Sequence, residues 1–215
     1  RIWTADELRQ LAAFCEKHDL MMMSDEIHHD LVYPGNTFTP FLVAAPEAAD
    51  RTFVLTAASK TFNTAGARLG TVTIPDAEKR AAYRHHLLSH QTQMNLLGVA
   101  LTQAAYSPEG AEWVDDLVVY LAENARIFLD GIAQIPGLTG MPMQSTYLTW
   151  IDFENTGMAM DDVVKRVKED ARIAPSVGRE FGTGGETFLR FNVGTSRGRV
   201  EEAVERLQKA FSALQ

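Results

Sequence analysis

The sequence predicts an α/β protein in two lobes. Residues 1–110 are expected to form a mainly parallel sheet covered by helices, and residues 111–215 a smaller α+β lobe. Three observations lead there. Through the first half, short apolar runs alternate with amphipathic helical patterns, and strand–helix–strand alternation buries a parallel sheet between helices. The stretch Ser107-Pro108-Glu109-Gly110 then breaks the pattern. Beyond it, short strand-like runs gather around a glycine-rich loop, Gly182-Thr183-Gly184-Gly185.

Each element has a local reason. Thr4 to Glu7 has the spacing of a capping box, so a helix is expected over 4–18, with Leu8, Leu11, Ala12 and Cys15 on one face. A strand follows at 20–24, in which the run Met21-Met22-Met23 reads as core filling. Residues 34–50 are rich in Pro, Gly, Asn and Ala and read as a loop with a short helix. Arg51 to Thr56 reads as a buried strand, and Gly70 to Ile74 as a third strand stopped by Pro75. Helical patterns fill 77–90, 92–106 and 111–134, the last closed by Pro136-Gly137. A strand at 146–153, a helix at 160–170 and short strands over 172–194 follow. A final helix carries Val200, Ala203, Val204, Leu207, Phe211 and Leu214 on one face.

Composition narrows the class. The chain has 215 residues, 46% of them hydrophobic and 22% charged, which suits a globular domain and excludes a disordered or collagen-like chain. Its 20 basic and 28 acidic residues give a net charge of −8, the wrong sign for wrapping nucleic acid. One cysteine, Cys15, makes no internal disulfide. No apolar run approaches the roughly 20 residues of a membrane span. No basic-then-apolar leader opens the chain, so a cytoplasmic location is expected, with neither membrane nor nucleic acid as partner.

Three segments can carry chemistry. Ser24-Asp25-Glu26-Ile27-His28-His29-Asp30 follows a strand, where open α/β sheets place ligands. Ala57-Ala58-Ser59-Lys60-Thr61-Phe62-Asn63 follows the next strand, with Gly66 and Arg68 close by. In Phe188-Leu189-Arg190-Phe191-Asn192-Val193-Gly194, one Arg interrupts an apolar strand. Each residue also has a plainer explanation: Asp25 as a turn residue, Lys60 as a surface lysine, Arg190 snorkelling to solvent. Adjacent side chains point apart on a strand, so His28 and His29 do not make a metal pair, and no metal site is expected. His86 and His90 have helical zinc spacing but no third ligand, so His85, His86 and His90 read as a solvated helix face.

Together the segments fit pyridoxal 5′-phosphate. That cofactor needs a Lys for its aldehyde, an anion for its pyridine nitrogen, and cationic and hydroxyl groups for its phosphate. An amino-acid substrate adds the need for an Arg on its α-carboxylate. Lys60, Asp25, Ser59 with Arg68, and Arg190 supply these in turn.

In Ser24 to His28 with Asp30, Ser59 to Asn63, Ser145 to Trp150, and Arg190 to Gly194 with Arg197, the chain resembles fold-type I pyridoxal-phosphate enzymes of the class I/II aminotransferase superfamily. Within it, the resemblance is to the cystathionine β-lyase branch of carbon–sulfur lyases. It implies the pyridoxal-phosphate-dependent transferase fold, with 1–110 as the C-terminal portion of the cofactor-binding large domain and 111–215 as the small domain. It further implies that Lys60 is the catalytic Schiff-base lysine and that Asp25 pairs with the pyridinium nitrogen. His28 would bond the ring's phenolic oxygen, Ser59 and Arg68 would bind the phosphate, and Arg190 would bind the substrate carboxylate. Ala57 stands where the family often has a phosphate-binding Ser. Family subunits are nearly twice this length, so an N-terminal half is expected to be missing, together with residues lent across a homodimer interface. The implied reaction is β-elimination on cystathionine or cysteine-type amino acids. The alternatives are an aminotransferase using the same residues and a truncated, non-catalytic fragment. Without cofactor, Asp25 and Arg190 are expected to be costly if they stay dry.

Overall fold

The computed structural model describes residues 1–214. The chain divides into two compact units, one spanning Ile2–Leu117 and the other Val118 onward together with Arg1.

In the first unit, helix α1 (Ala5–Lys17) opens on the expected capping box. Glu7 N–H donates to Thr4 Oγ1 at 3.3 Å and Thr4 N–H donates to Glu7 Oε2 at 2.8 Å, so two of the helix's otherwise unpaired donors are satisfied. Its buried face (Leu8, Ala12, Cys15) packs with Met22 and with Phe41, Ala44, Ala45 and Ala48. Strand β1 (Met22–Asp25) runs parallel to β2 (Thr52–Thr56), with Met22 beside Thr52 and Asp25 beside Leu55. The link between them holds helix α2 (Phe41–Ala44) and a 3₁₀ turn, Pro46–Arg51.

The parallel order stops there. Strand β3 (Thr71–Thr73) pairs antiparallel to β2, with Thr56 beside Thr71. A parallel return needs a long crossover, usually a helix. Residues 57–70 supply only turns and the 3₁₀ segment Ala65–Ala67, so the chain comes straight back along β2. The methionine run is also split. Met22 is buried, whereas Met21 and Met23 are 52% and 68% exposed, because successive strand residues face opposite sides and only one side is covered.

Helix α3 (Ala77–Ser89) buries no side chain. Helix α4 (Leu96–Ala105) starts later than its apolar pattern suggests, because Asn95 caps it, its Oδ1 accepting from Gly98 N–H at 2.6 Å. Asn95 Nδ2 also donates to Ala67 O at 2.6 Å. The expected break at Ser107–Gly110 is itself a helix start. Pro108 fills the first position of α5 (Pro108–Ile132), where its missing N–H costs nothing, and Ser107 Oγ accepts from Gly110 N–H at 3.1 Å.

The second unit holds an antiparallel sheet of order β4-β5-β7-β6. Its strands are β4 (Thr139–Gly140), β5 (Leu148–Asp152), β6 (Ser176–Val177) and β7 (Phe188–Asn192). Helices α6 (Met160–Glu169) and α7 (Arg197–Ala210) complete it, and its core includes Phe128, Ile151, Val163, Val167, Leu189, Leu207 and Phe211. Gly131 on α5 allows a close approach, since a Cβ there would lie 2.2 Å from Val204 Cγ1. Asn124, fully buried on α5, pins the chain leaving β7, its Nδ2 donating to Val193 O at 3.0 Å and Thr195 O at 2.9 Å.

Replacing Asn124 by Leu strands the buried Val193 carbonyl and removes the part-buried bond to Thr195 O, which costs about 1–3 kcal/mol. Chemical denaturation is expected to show a stability loss of that size; an unchanged midpoint would contradict the clamp.

Candidate active site

Five of the six residues expected to form the site fall in the first unit, on the chain leaving β1 and β2. Because these strands are parallel, both chains exit at the same end of the sheet. The ladder extends past Asp25, with Glu26 N–H donating to Leu55 O at 2.9 Å. Asp25 is the last residue of β1 and is exposed, so the cost expected of a dry charge does not arise there. Its Oδ1 accepts from Ile27 N–H at 3.2 Å, which shapes the turn. His28 is half-buried in that turn.

Ser59 and Lys60 are half-buried in the turn that follows β2. That turn is closed by Phe62 N–H to Ala58 O at 2.9 Å and Thr64 N–H to Ser59 O at 3.0 Å. Among the described residues, Lys60 has no carboxylate within ion-pair distance. Arg68 is exposed and takes a left-handed backbone (φ 49°) at the end of the 3₁₀ segment. The turns therefore offer a carboxylate, a primary amine, an imidazole, a hydroxyl and a guanidinium at one end of a two-strand ladder.

Arg190 belongs to the second unit, on β7 opposite Trp150 of β5. Its guanidinium lies over the Phe181 ring, 4.4 Å from the centroid, and its Nη2 donates to Ser176 Oγ at 3.3 Å. Trp150 meets Phe181 edge-on at 5.2 Å and Phe188 at 5.8 Å. An aromatic bed thus orients the planar cation. Arg197 N–H donates to Tyr120 Oη at 2.7 Å, and its guanidinium lies over the Tyr120 ring at 4.6 Å.

Sequence reasoning gave no role to Glu26, His29, Asp30 and Thr61. Glu26 is buried, its Oε1 accepting from Ser24 Oγ at 3.0 Å and Phe41 N–H at 2.8 Å. Strand alternation places Ser24 and Glu26 on one side, which was a readable signal. His29 Nε2 lies 3.0 Å from Asp30 Oδ1, and Thr61 Oγ1 donates to Asp30 Oδ2 at 2.9 Å.

The Asp30 hydrogen bond raises the His29 pKa above its ordinary 6.5, against the opposing effect of burial. For Asp30, burial pushes the value up, but the His29 hydrogen bond and charge and the Thr61 hydroxyl outweigh it and leave the carboxyl below its ordinary 3.8. His29's share of the stabilisation is complete below 6.5 and fades as pH rises through its raised value. Asp30's share is complete above 3.8 and fades as pH falls through its lowered value. The pair therefore contributes most between those ordinary values. In an NMR titration, Asp30→Asn is expected to bring the His29 pKa down; an unmoved midpoint would contradict the pairing.

Residues 1–207 match the family model for aminotransferase class I and II. Cystathionine beta-lyase PatB of Bacillus subtilis strain 168 is 33% identical over 216 residues, covering 99% of this chain and 55% of that protein. Protein MalY of Escherichia coli K12 is 33% identical over 218 residues, covering 100% of this chain and 55% of MalY. The crystal structure of cystalysin from Treponema denticola, which contains pyridoxal 5′-phosphate, superposes with a TM-score of 0.92 at 32% identity, over 100% of this chain and 55% of that one. The chain thus spans about half the length of the curated relatives it matches. Matched from Arg1 almost to its end, and sharing the backbone of a solved pyridoxal-phosphate protein, the chain belongs to the class I and II aminotransferase family.

Proposed function

We propose that the protein containing this chain is a pyridoxal 5′-phosphate-dependent carbon–sulfur β-lyase acting on cystathionine or cysteine-type amino acids. The observation that carries the reading is the parallel β1–β2 register, from which the Asp25 carboxylate and the Lys60 turn leave at one end of the sheet. The donor set fits the group. Asp25 would face a cationic ring nitrogen, Lys60 an aldehyde, His28 a phenolic oxygen, and Ser59 with Arg68 a phosphate; in this reading residues 1–110 contribute to the cofactor-binding domain and 111–215 form the small domain. When bound, the cofactor supplies an aldehyde that joins an amine and a ring that draws electrons from the substrate Cα.

The residues then divide the work. Arg190, its plane held by Phe181 and Ser176, grips the α-carboxylate in a two-point bond. Asp25 would serve as the anion that the ring nitrogen needs. The Lys60 amine would act as the base that takes the substrate Cα proton. The Cβ–S bond then breaks, sulfur leaving with the electron pair, and water converts the carbon fragment to pyruvate and ammonia. The reading includes a homodimer in a soluble, cytoplasmic setting. Leu88, Met94, Leu96 and Leu97, all more than 60% exposed, offer it apolar surface.

A second reading, an aminotransferase, is favoured by the family match itself. It shares the Cα deprotonation by Lys60 and differs in its products: the amino group passes to a 2-oxo acid while the sulfur bond stays intact. The full-length protein given cystathionine is expected to release pyruvate and ammonia, and Lys60→Ala to lower that rate by at least about 100-fold, as for loss of a positioned base. Amino-group exchange with a 2-oxo acid, with no pyruvate formed, would establish the second reading; no Lys60-dependent turnover of either kind would overturn both.

A further inference from the structure

The turn carrying Lys60 is held to the turn that follows Asp25 by a chain of hydrogen bonds that none of the six site residues makes. Thr61 Oγ1 donates to Asp30 Oδ2 at 2.9 Å. Asp30 Oδ1 meets His29 Nε2 at 3.0 Å, and His29 Nδ1 lies 2.6 Å from Glu26 O. The Glu26 backbone is itself locked to β2 through Leu55 O, and its buried carboxylate holds Ser24 and Phe41. Every link from Thr61 back to the end of β1 is thus a polar bond of ordinary length.

Two further features make this chain more than a surface contact. Thr61 is 2% exposed, so its hydroxyl cannot exchange Asp30 for water. The next residue, Phe62, stacks on Trp113 with ring centroids 5.2 Å apart. The backbone just after Lys60 is therefore pinned by a hydrogen bond and by a ring contact. The Lys60 side chain is long and flexible, so the direction in which it starts from the backbone is the part that the fold can fix. A base or nucleophile misplaced by an ångström loses much of its reactivity.

We propose that Asp30, acting through the Thr61 hydroxyl, is a positioning residue that aims Lys60 at the cofactor aldehyde. The inference rests on the reading of Lys60 given above. Neither Asp30 nor Thr61 touches the reacting atoms. Their effect is on how often the amine is in place.

The test uses the full-length apo protein mixed with pyridoxal 5′-phosphate, following the absorbance band gained as the cofactor joins Lys60, with the melting temperature of each apo variant as a control. Thr61→Val keeps the shape and removes the hydroxyl. It and Asp30→Ala are each expected to slow uptake about tenfold or more in protein that the melting curve shows to be folded at the assay temperature. The double variant is expected to be no slower than the slower single one, as for two members of one interaction. Thr61→Ser is expected to restore uptake to near the wild-type rate. If Thr61→Val does not fold, Asp30→Asn, which keeps the volume and loses the charge, takes its place.

Wild-type uptake rates in the Thr61→Val or Asp30→Ala protein would overturn the inference while leaving the Lys60 reading intact. So would a Thr61→Ser protein as slow as Thr61→Val, since the hydroxyl would then not be the operative group. A band that forms equally well in Lys60→Ala would overturn the reading of Lys60 and the inference with it.

Discussion

The chemistry available to this chain depends on two strands running the same way. β1 and β2 are parallel, so the segments following Asp25 and Thr56 emerge at one end of the sheet. An antiparallel pairing would send the carboxylate and the amine to opposite ends. Parallel pairing requires a crossover, and residues 26–51 supply it by folding α2 and a 3₁₀ turn over the apolar face of α1. Burial of Phe41, Ala44, Ala45 and Ala48 against Leu8, Ala12 and Met22 thus does two things at once. It stabilises the unit, and it lets the chain re-enter the sheet in the same direction as β1.

The second unit meets a different demand. A residue meant to hold a carboxylate must present its two N–H groups in one plane. In the proposed reading Arg190 does this from an antiparallel sheet, with Trp150 as its cross-strand neighbour, Phe181 under its face and Ser176 at one nitrogen. The clamp of Asn124 on Val193 and Thr195 fixes the chain that follows β7. Rigid placement in both units comes from short local devices, each built from a few hydrogen bonds or ring contacts.

What the sequence disclosed follows from range. The Thr4–Glu7 box, the strand carrying Arg190 and the apolar face of α7 depend on neighbours a few residues apart, and spacing reveals them. The methionine run misled because a strand alternates its faces while the sheet is covered on one side, and the sequence does not say which side. The antiparallel return of β3 was hidden for a similar reason, since nothing local distinguishes a long crossover from a tight return until the helix fails to form over 57–70. The roles expected of Lys60 and Asp25 came from residue chemistry and family resemblance. The Asp30–Thr61 bond joins turns far apart in the chain, so no spacing rule could find it.

The central claim is that the amine at Lys60 is the one that holds the cofactor. Borohydride reduction of the full-length protein equilibrated with pyridoxal 5′-phosphate, followed by peptide mapping, reads this directly. The account predicts a single stable adduct on the peptide containing Ser59-Lys60-Thr61. An adduct on any other lysine, with that peptide unmodified, would contradict it.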